Sequence, residues 1–503
     1  MSQLTAKKPL SMLLAEEKGE NRLRRVLGPV GLTSLGVGAI IGTGIFVLIG
    51  EGAHDKAGPA LMLSFVVAGL ACIFAALCYA EFASMVPVAG SAYTYAYATL
   101  GELMAWIIGW DLVLEYAVGS STVASGWSSY FQKLFTLVTG YKIHHAIGGA
   151  PFDYIPDEGV FRTTGSYLDL PALIITAAVT TILVRGIKES VRFNSIMVIV
   201  KLAIVAFVVV VGSFYVDPKN WTPFAPKGYT GVSFFGRTVL GQSDAGGKPV
   251  GVFAGAAMIF FAYIGFDSIS THSEEAKNPR RDLPIGIIVS LILCTLLYIA
   301  VAAVLTGMVP YDQINIKAPI SEAFERANMP WANLLISIGA LTGITSVLLV
   351  MMLSQPRVLM AMARDGLLPS SFFGAVHEKF RTPWKSTILT GVAVALMAAL
   401  LPLRILAELV NIGTLLAFVI VCAAVLIMRR TNPDAERPFR APLVPLTPIL
   451  GILTCLLLMF SLPGENWVRL IVWLALGLVV YFGYGKRHSH LARHNAGLPP
   501  IAP

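Results

Sequence analysis

Apolar residues along this chain gather into long runs separated by shorter polar or basic stretches, the pattern of helices that cross a lipid bilayer. About 20 apolar residues at a rise of about 1.5 Å each span the hydrocarbon core. Runs of that kind lie near 30–50, 59–86, 101–131, 169–185, 191–215, 251–272, 284–308, 331–362, 385–402, 405–428, 446–462 and 467–485. They predict an all-α polytopic membrane fold of about twelve transmembrane helices. Two runs are broken. Glycines interrupt the first at its middle, in Gly36-Val37-Gly38-Ala39-Ile40-Ile41-Gly42-Thr43-Gly44-Ile45-Phe46. The sixth is interrupted within Phe260-Phe261-Ala262-Tyr263-Ile264-Gly265-Phe266-Asp267-Ser268. A helix broken at membrane depth leaves N–H and C=O groups without partners, which only a buried polar ligand or a cavity excuses. Corresponding breaks in two halves of one polytopic chain point to a transporter's substrate site.

The spacing of the breaks suggests a division of the chain. Spans one to five set against six to ten make each broken helix the first of its half, and an odd number of spans inserts the halves in opposite orientation. The expected units are a polar segment 1–29, five helices in 30–217, five in 218–429, two further helices in 430–485 and a tail 486–503. Two long loops, 139–168 and 217–249, are rich in Gly, Pro and aromatic residues and too short for a separate domain.

Composition narrows the class. The 503 residues are 56% hydrophobic and 13% charged, with a mean hydropathy of +0.72, whereas a soluble domain carries about 25% charged residues. The net charge of +8 sorts by loop. Lys and Arg concentrate in the segments that place both termini in the cytoplasm, as expected for a cell-membrane protein. That sorting explains the charge without a nucleic-acid partner. Cys72, Cys78, Cys294, Cys422 and Cys455 all fall inside apolar runs with no metal-ligand spacing, so they read as packing residues. No phosphate-binding glycine loop, HExxH or GxSxG motif occurs. The chain therefore offers no support for ATP-driven transport, for a metal or other cofactor, or for an enzyme.

Several residues carry chemistry at membrane depth. Unwinding at Gly42-Thr43-Gly44 exposes N–H groups at the positive end of the second half-helix, suited to a carboxylate. Carbonyls ending the first half-helix, near Ile40, suit an ammonium group. A zwitterion matches both, while close helix packing is the plainer use of such glycines. Asp267, two residues beyond Gly265, is a carboxylate inside a span, which usually faces a cavity or a partner. Lys201 lies about ten residues into the fifth span, roughly 15 Å along it. Its stem cannot easily reach water from there. It either forms a constitutive buried pair or takes part in proton coupling. Asp111 and Glu115 share one face of the third span, and Glu115 is deep enough to meet a cationic side chain or to bond a neighbouring helix. Thr342, Thr345 and Ser346 share a face of the eighth span, where hydroxyls commonly bond carbonyls of their own helix. Glu81, Arg357, Arg364 and Asp365 lie near the inner ends of spans, either as gate ion pairs or as solvated charges.

The break Gly38-Ala39-Ile40-Ile41-Gly42-Thr43-Gly44-Ile45-Phe46 and the run Tyr79-Ala80-Glu81-Phe82-Ala83-Ser84-Met85-Val86-Pro87-Val88-Ala89-Gly90-Ser91-Ala92-Tyr93 resemble the amino acid–polyamine–organocation (APC) superfamily. Three further stretches are similar to its cationic amino acid transporter family. They are Gly186-Ile187-Lys188-Glu189-Ser190, Gly265-Phe266-Asp267 with Glu274-Glu275-Ala276-Lys277-Asn278-Pro279, and Arg437-Pro438-Phe439-Arg440-Ala441-Pro442. The resemblance implies a LeuT-type five-plus-five inverted repeat with two extra helices. It also implies that Thr43, Gly44 and Ile45 offer N–H groups to a substrate carboxylate. Carbonyls of Ile40, Phe261 and Ile264 would receive the α-ammonium, with Phe261 and Tyr263 flanking the pocket. In sodium-coupled relatives a Na⁺ lies between the first break and eighth-span hydroxyls. Here Thr342, Thr345 and Ser346 match that ion-site spacing, yet Lys201 resembles bacterial members whose lysine takes the ion's position, which favours protons. The expected function is H⁺-coupled symport of L-amino acids, cationic such as arginine or lysine, small neutral such as alanine, or both. An exchanger, or a nontransporting receptor or channel, is the alternative.

Overall fold

The computed structural model describes residues 3–16, 25–88, 90–155, 160–316 and 318–497; parts of the predicted N-terminal segment and the end of the tail lie outside the described residues. Helix dominates, because in an apolar solvent only a helix satisfies every backbone group within its own segment. Eight helical stretches have the length and hydropathy to cross a membrane, and four apolar helices of 10–17 residues complete the set. In chain order they trace the twelve predicted passages. The stretch Gly44–Met85 supplies the second half of the first passage and all of the second, since Gly58 at φ +62° turns the chain into Leu61–Met85.

The first passage begins as Pro29–Ile40, with Pro at its first position, where a missing N–H costs nothing. It stops at Ile41, which is extended (φ −78°, ψ 103°). The chain resumes as a widened turn, Gly44–Leu48. The sixth passage runs as Val252–Ile259, tightens through Phe260–Tyr263, opens at Ile264 (ψ 135°) and restarts at Asp267–Glu275. Gly265 between them has φ +114°, a conformation that only glycine adopts without strain. Both predicted breaks are therefore real. Around them stand three long helices, Glu102–Thr139, Pro330–Arg364 and Leu403–Thr431, with Pro279–Met308 closing the other side.

Large apolar side chains on the outer faces, such as Ile199, Leu296, Val392 and Val479, are exposed; lipid contact accounts for them where water would not. Three two-stranded hairpins, Phe152–Ile155 with Val160–Thr163, Val232–Phe234 with Arg237–Leu240, and Gln242–Ser243 with Pro249–Val250, form from the two long loops at one end of the bundle.

The opposite end gathers both ends of the described chain. Gln3 Nε2 donates to Glu102 Oε1 at 3.1 Å and to Lys486 O at 2.6 Å. Tyr97 and Tyr481 hydroxyls also reach Glu102, each at 2.9 Å. The four inner charges left open by the sequence are ion pairs here. Arg357 meets Glu275 at 2.6 Å with both side chains almost fully buried, Arg364 meets Glu274 at 2.8 Å, Glu81 meets Arg429 at 2.8 Å, and Asp365 meets Lys8 at 2.5 Å. Three of these pairs tie the second half of the sixth passage and the N-terminal segment to the eighth passage, and Glu81 with Arg429 ties the second passage to the tenth, so this end of the bundle is closed.

Candidate functional site

The two breaks touch. A Cβ on Gly44 would stand 2.4 Å from Ala262 Cα, and one on Gly265 would stand 2.9 Å from Ala39 Cβ and 3.0 Å from Ala39 O. Gly42 is as tightly set, 2.4 Å in the same sense from Val347 Cγ2. Both readings of these glycines therefore hold together: the backbone unwinds, and the lack of side chains lets the unwound segments cross in contact.

Breaking the first passage releases carbonyls at the end of Pro29–Ile40, and those of Gly38, Ile40 and Ile41 acquire donors from other helices. Lys201 Nζ donates to Gly38 O at 2.9 Å, Ile41 O at 2.8 Å and Ser346 Oγ at 2.7 Å. All three ammonium hydrogens are thus engaged in a fully buried seat between the first, fifth and eighth passages. Tyr298 Oη lies 2.7 Å from Ile40 O and 2.8 Å from Ala262 O, bridging the two breaks. A buried carbonyl left without such a donor would cost about 1–3 kcal/mol.

The donors at the start of the second half-helix divide. The N–H groups of Ile45 and Phe46 turn back on Gly42 O at 3.2 and 3.1 Å, whereas those of Thr43 and Gly44 have no acceptor among the described residues. In the sixth passage Phe261 O accepts from Ile264 N at 3.2 Å, and Ile264 O accepts from none of the described residues. The carboxylate and ammonium seats expected at Thr43, Gly44 and Ile264 are thus open. Those expected at Ile45 and Phe261 are taken by local turns, and the one at Ile40 is shared with Tyr298.

Asp111, Glu115 and Asp267 are all buried, and Glu115 lies within electrostatic reach of the other two. Tyr116 donates to Asp267 Oδ2 at 2.7 Å. The second oxygen of Asp267 and both oxygens of Asp111 and Glu115 have no partner among the described residues. Buried carboxylates are costly unless paired, so this group suits a proton or a cation.

Packing engages two sets of side chains that the resemblance placed at the site. Tyr263 stands beside Tyr298, which bridges the breaks. The hydroxyl of Tyr263 donates to Phe65 O at 2.8 Å and its ring lies 5.5 Å from that of Tyr298, because a buried tyrosine needs both an apolar bed and an acceptor. The hydroxyls of the eighth passage do not act as a triad. Thr342 Oγ1 bonds Gly339 O at 3.0 Å and Thr345 Oγ1 bonds Leu341 O at 2.6 Å while accepting from Trp127 at 2.9 Å. Ser346 alone reaches Lys201. Tyr298, Tyr116 and Asn411, which binds carbonyls of the sixth passage, were missed. Their only signal was a hydrogen-bonding side chain inside a span, which requires a partner but does not say which.

Residues 27–482 match the model of the amino acid permease family, and the chain belongs to that family. It is a multi-pass membrane permease of the APC superfamily and not an enzyme. It is 49% identical to the branched-chain amino acid permease BcaP of Bacillus subtilis (strain 168), over 96% of this chain and 98% of that one. With the methylthioribose transporter of the same organism it shares 46% identity over 98% and 100%. The vacuolar cationic amino acid transporter 4 of Arabidopsis thaliana is 39% identical over 86% of this chain and 68% of its own length.

Proposed function

We propose that this permease is an H⁺-coupled symporter of L-amino acids in the cell membrane, with both termini in the cytoplasm and the closed end that gathers both ends of the described residues facing it. The observation that carries the reading is Lys201, whose ammonium fills the junction between the first-passage carbonyls and Ser346. That junction has the carbonyl and hydroxyl oxygens a small cation would need, and a lysine there supplies the positive charge itself. Coupling then depends on whether Lys201 holds its proton, with no sodium, metal, other cofactor or ATP required. The reading makes 30–217 and 218–429 inverted halves, with 430–485 outside the repeat and nucleic acid no partner.

The free N–H groups of Thr43 and Gly44 suit the substrate carboxylate, and Ile264 O with the spare lone pair of Ile40 O suits the ammonium. A zwitterion so held joins the two breaks, and binding energy of this kind biases the closed state over the open one. The unpaired carboxyls of Asp111, Glu115 and Asp267 support a cationic side chain such as arginine or lysine. The likeness to a branched-chain permease supports instead a neutral substrate, with protons on those carboxyls.

Proteoliposomes without internal amino acid test coupling directly. Accumulation driven by an inward pH gradient, unchanged when choline replaces sodium, is expected. Uptake that needs preloaded amino acid reassigns the protein as an exchanger, and strict sodium dependence removes Lys201 from the coupling role. In the same preparation Glu115→Gln is expected to weaken arginine binding by about 10- to 100-fold, the loss of one charge-assisted hydrogen bond, and to leave alanine nearly unaffected. Equal loss for both amino acids refutes the side-chain role.

A further inference from the structure

A groove of about 410 Å³ lies on the outside of the bundle at its closed end, between the start of Pro279–Met308 and the loop that follows the tenth passage. Arg280 and Arg281 stand at its rim, and Ile285, Ile288, Val289 and Phe439 form its apolar bed. Both walls are held in place. Phe439 N donates to Ser84 Oγ at 3.2 Å. Arg437 fastens the loop by donating to Pro433 O at 2.9 Å and to Ala435 O and Asn432 O at 2.7 Å. On the helix side Lys277 N donates to Leu27 O at 2.7 Å, and Asn278 N to Asp282 Oδ2 at 3.2 Å.

Charge at this rim does not cancel. Arg281 is exposed, and its guanidinium has no partner among the described residues. Arg280 meets Glu436 at 2.9 Å, but the two side chains are 49% and 74% exposed, and a pair so hydrated contributes little. Asp282 is buried and turned to its own backbone, while Lys277 and Arg440, close by in the chain, add exposed positive charge. The same helix face then becomes apolar. Arg281, Ile285, Ile288, Ile292 and Leu296 recur at spacings of three and four, so they line up along Pro279–Met308. Val289, Ile292 and Leu296 on that face are 46%, 45% and 62% exposed. The track runs roughly 22 Å from the guanidinium at helical rise. A cation heading a lipid-facing apolar track matches a ligand with an anionic head and a hydrocarbon tail. A soluble anion would leave the track bare, and an extended peptide would lack backbone partners at that depth.

We propose that this groove binds one anionic phospholipid, its phosphate held by Arg280 and Arg281 and one acyl chain laid along the face from Ile285 to Leu296. The leaflet is the cytoplasmic one on the orientation proposed above, but the headgroup contact depends neither on that orientation nor on the transported substrate. Full-length protein in neutral detergent is titrated with phosphatidylglycerol or with phosphatidylcholine of the same chains, and the first bound lipid is followed by native mass spectrometry. Phosphatidylglycerol is expected to bind at the lower concentration. Arg281→Ala should raise its half-saturating concentration about fivefold, the worth of one basic residue at an anionic lipid surface, and leave phosphatidylcholine unchanged. Arg281→Lys should restore most of the affinity. Arg487→Ala, which removes an exposed arginine at the same end but outside the groove, should change nothing. Glycerol phosphate at about a hundredfold excess should not displace the lipid, because it leaves the apolar track uncovered.

Equal affinity for the two lipids overturns the anionic headgroup. Equal losses in Arg281→Ala and Arg487→Ala report diffuse attraction to the basic end and overturn the groove as a site, as does phosphatidylglycerol binding untouched by Arg281→Ala. Displacement by glycerol phosphate replaces the lipid with a soluble anion and overturns the proposal. Amino acid uptake measured separately bears on the transport reading alone, so failure of one leaves the other standing.

Discussion

Lys201→Ala is expected to abolish accumulation driven by a pH gradient while sparing exchange of labelled for unlabelled amino acid. The substitution removes three hydrogen bonds from one ammonium group and leaves Gly38 O, Ile41 O and Ser346 Oγ facing a cavity. Hydrogen bonds to a charged group are worth about 1.5–3 kcal/mol each, so the polar loss is large. The end of the vacated space, where the amine sat, is polar, so water can bond the stranded carbonyls and the breaks need not collapse. What water cannot supply is a titrating positive charge between the first and eighth passages. Accumulation and exchange therefore separate. If both disappear while the protein remains monodisperse, Lys201 is a structural strut. If both persist with their pH response, the coupling role is wrong.

Gly44→Ala is expected to lower substrate affinity about 5- to 150-fold, with Gly265→Ala acting in the same direction. The added carbon of the first would fall 2.4 Å from both Ala262 Cα and Cβ, and backbone cannot give way as a flexible side chain can. Overpacking of this kind costs about 1–3 kcal/mol, which converts to that range of fold-change. Gly265 adds conformational strain, since φ +114° is closed to alanine. Gly483→Ala, where a Cβ meets nothing within 4 Å, is the matched control and should bind normally. Binding measured by equilibrium titration decides; wild-type affinity in Gly44→Ala means the breaks do not need to touch.

Much of this architecture was legible from the order of residues alone. Twelve apolar runs became twelve passages because membrane thickness sets a helix length that composition reveals directly. The breaks at Gly42–Gly44 and Gly265 were legible because glycine alternation and an intramembrane aspartate have few other uses in an apolar run. Lys201 stood out by depth. The partners of these groups were not legible. Thr342, Thr345 and Ser346 share a face and a chemistry, yet only Ser346 meets the lysine, since the other two bond within their own helix. Tyr263 was expected at the pocket, and the acceptor that its hydroxyl takes, Phe65 O in another helix, was not legible.

Sequence by itself determined the class of fold, the two sites of unwinding and the presence of an ionisable side chain deep within a span, because each follows from local composition against a fixed bilayer. Tertiary structure alone decided that the two breaks lie against one another, that Tyr298 bridges them, that Asp111, Glu115 and Asp267 gather without a basic partner, and that inner charges pair across helices. Those outcomes depend on which helix faces which and at what height. Contacts between different spans set that register, such as Arg357 with Glu275 and Tyr298 with Ile40, and no periodicity within a single span encodes it.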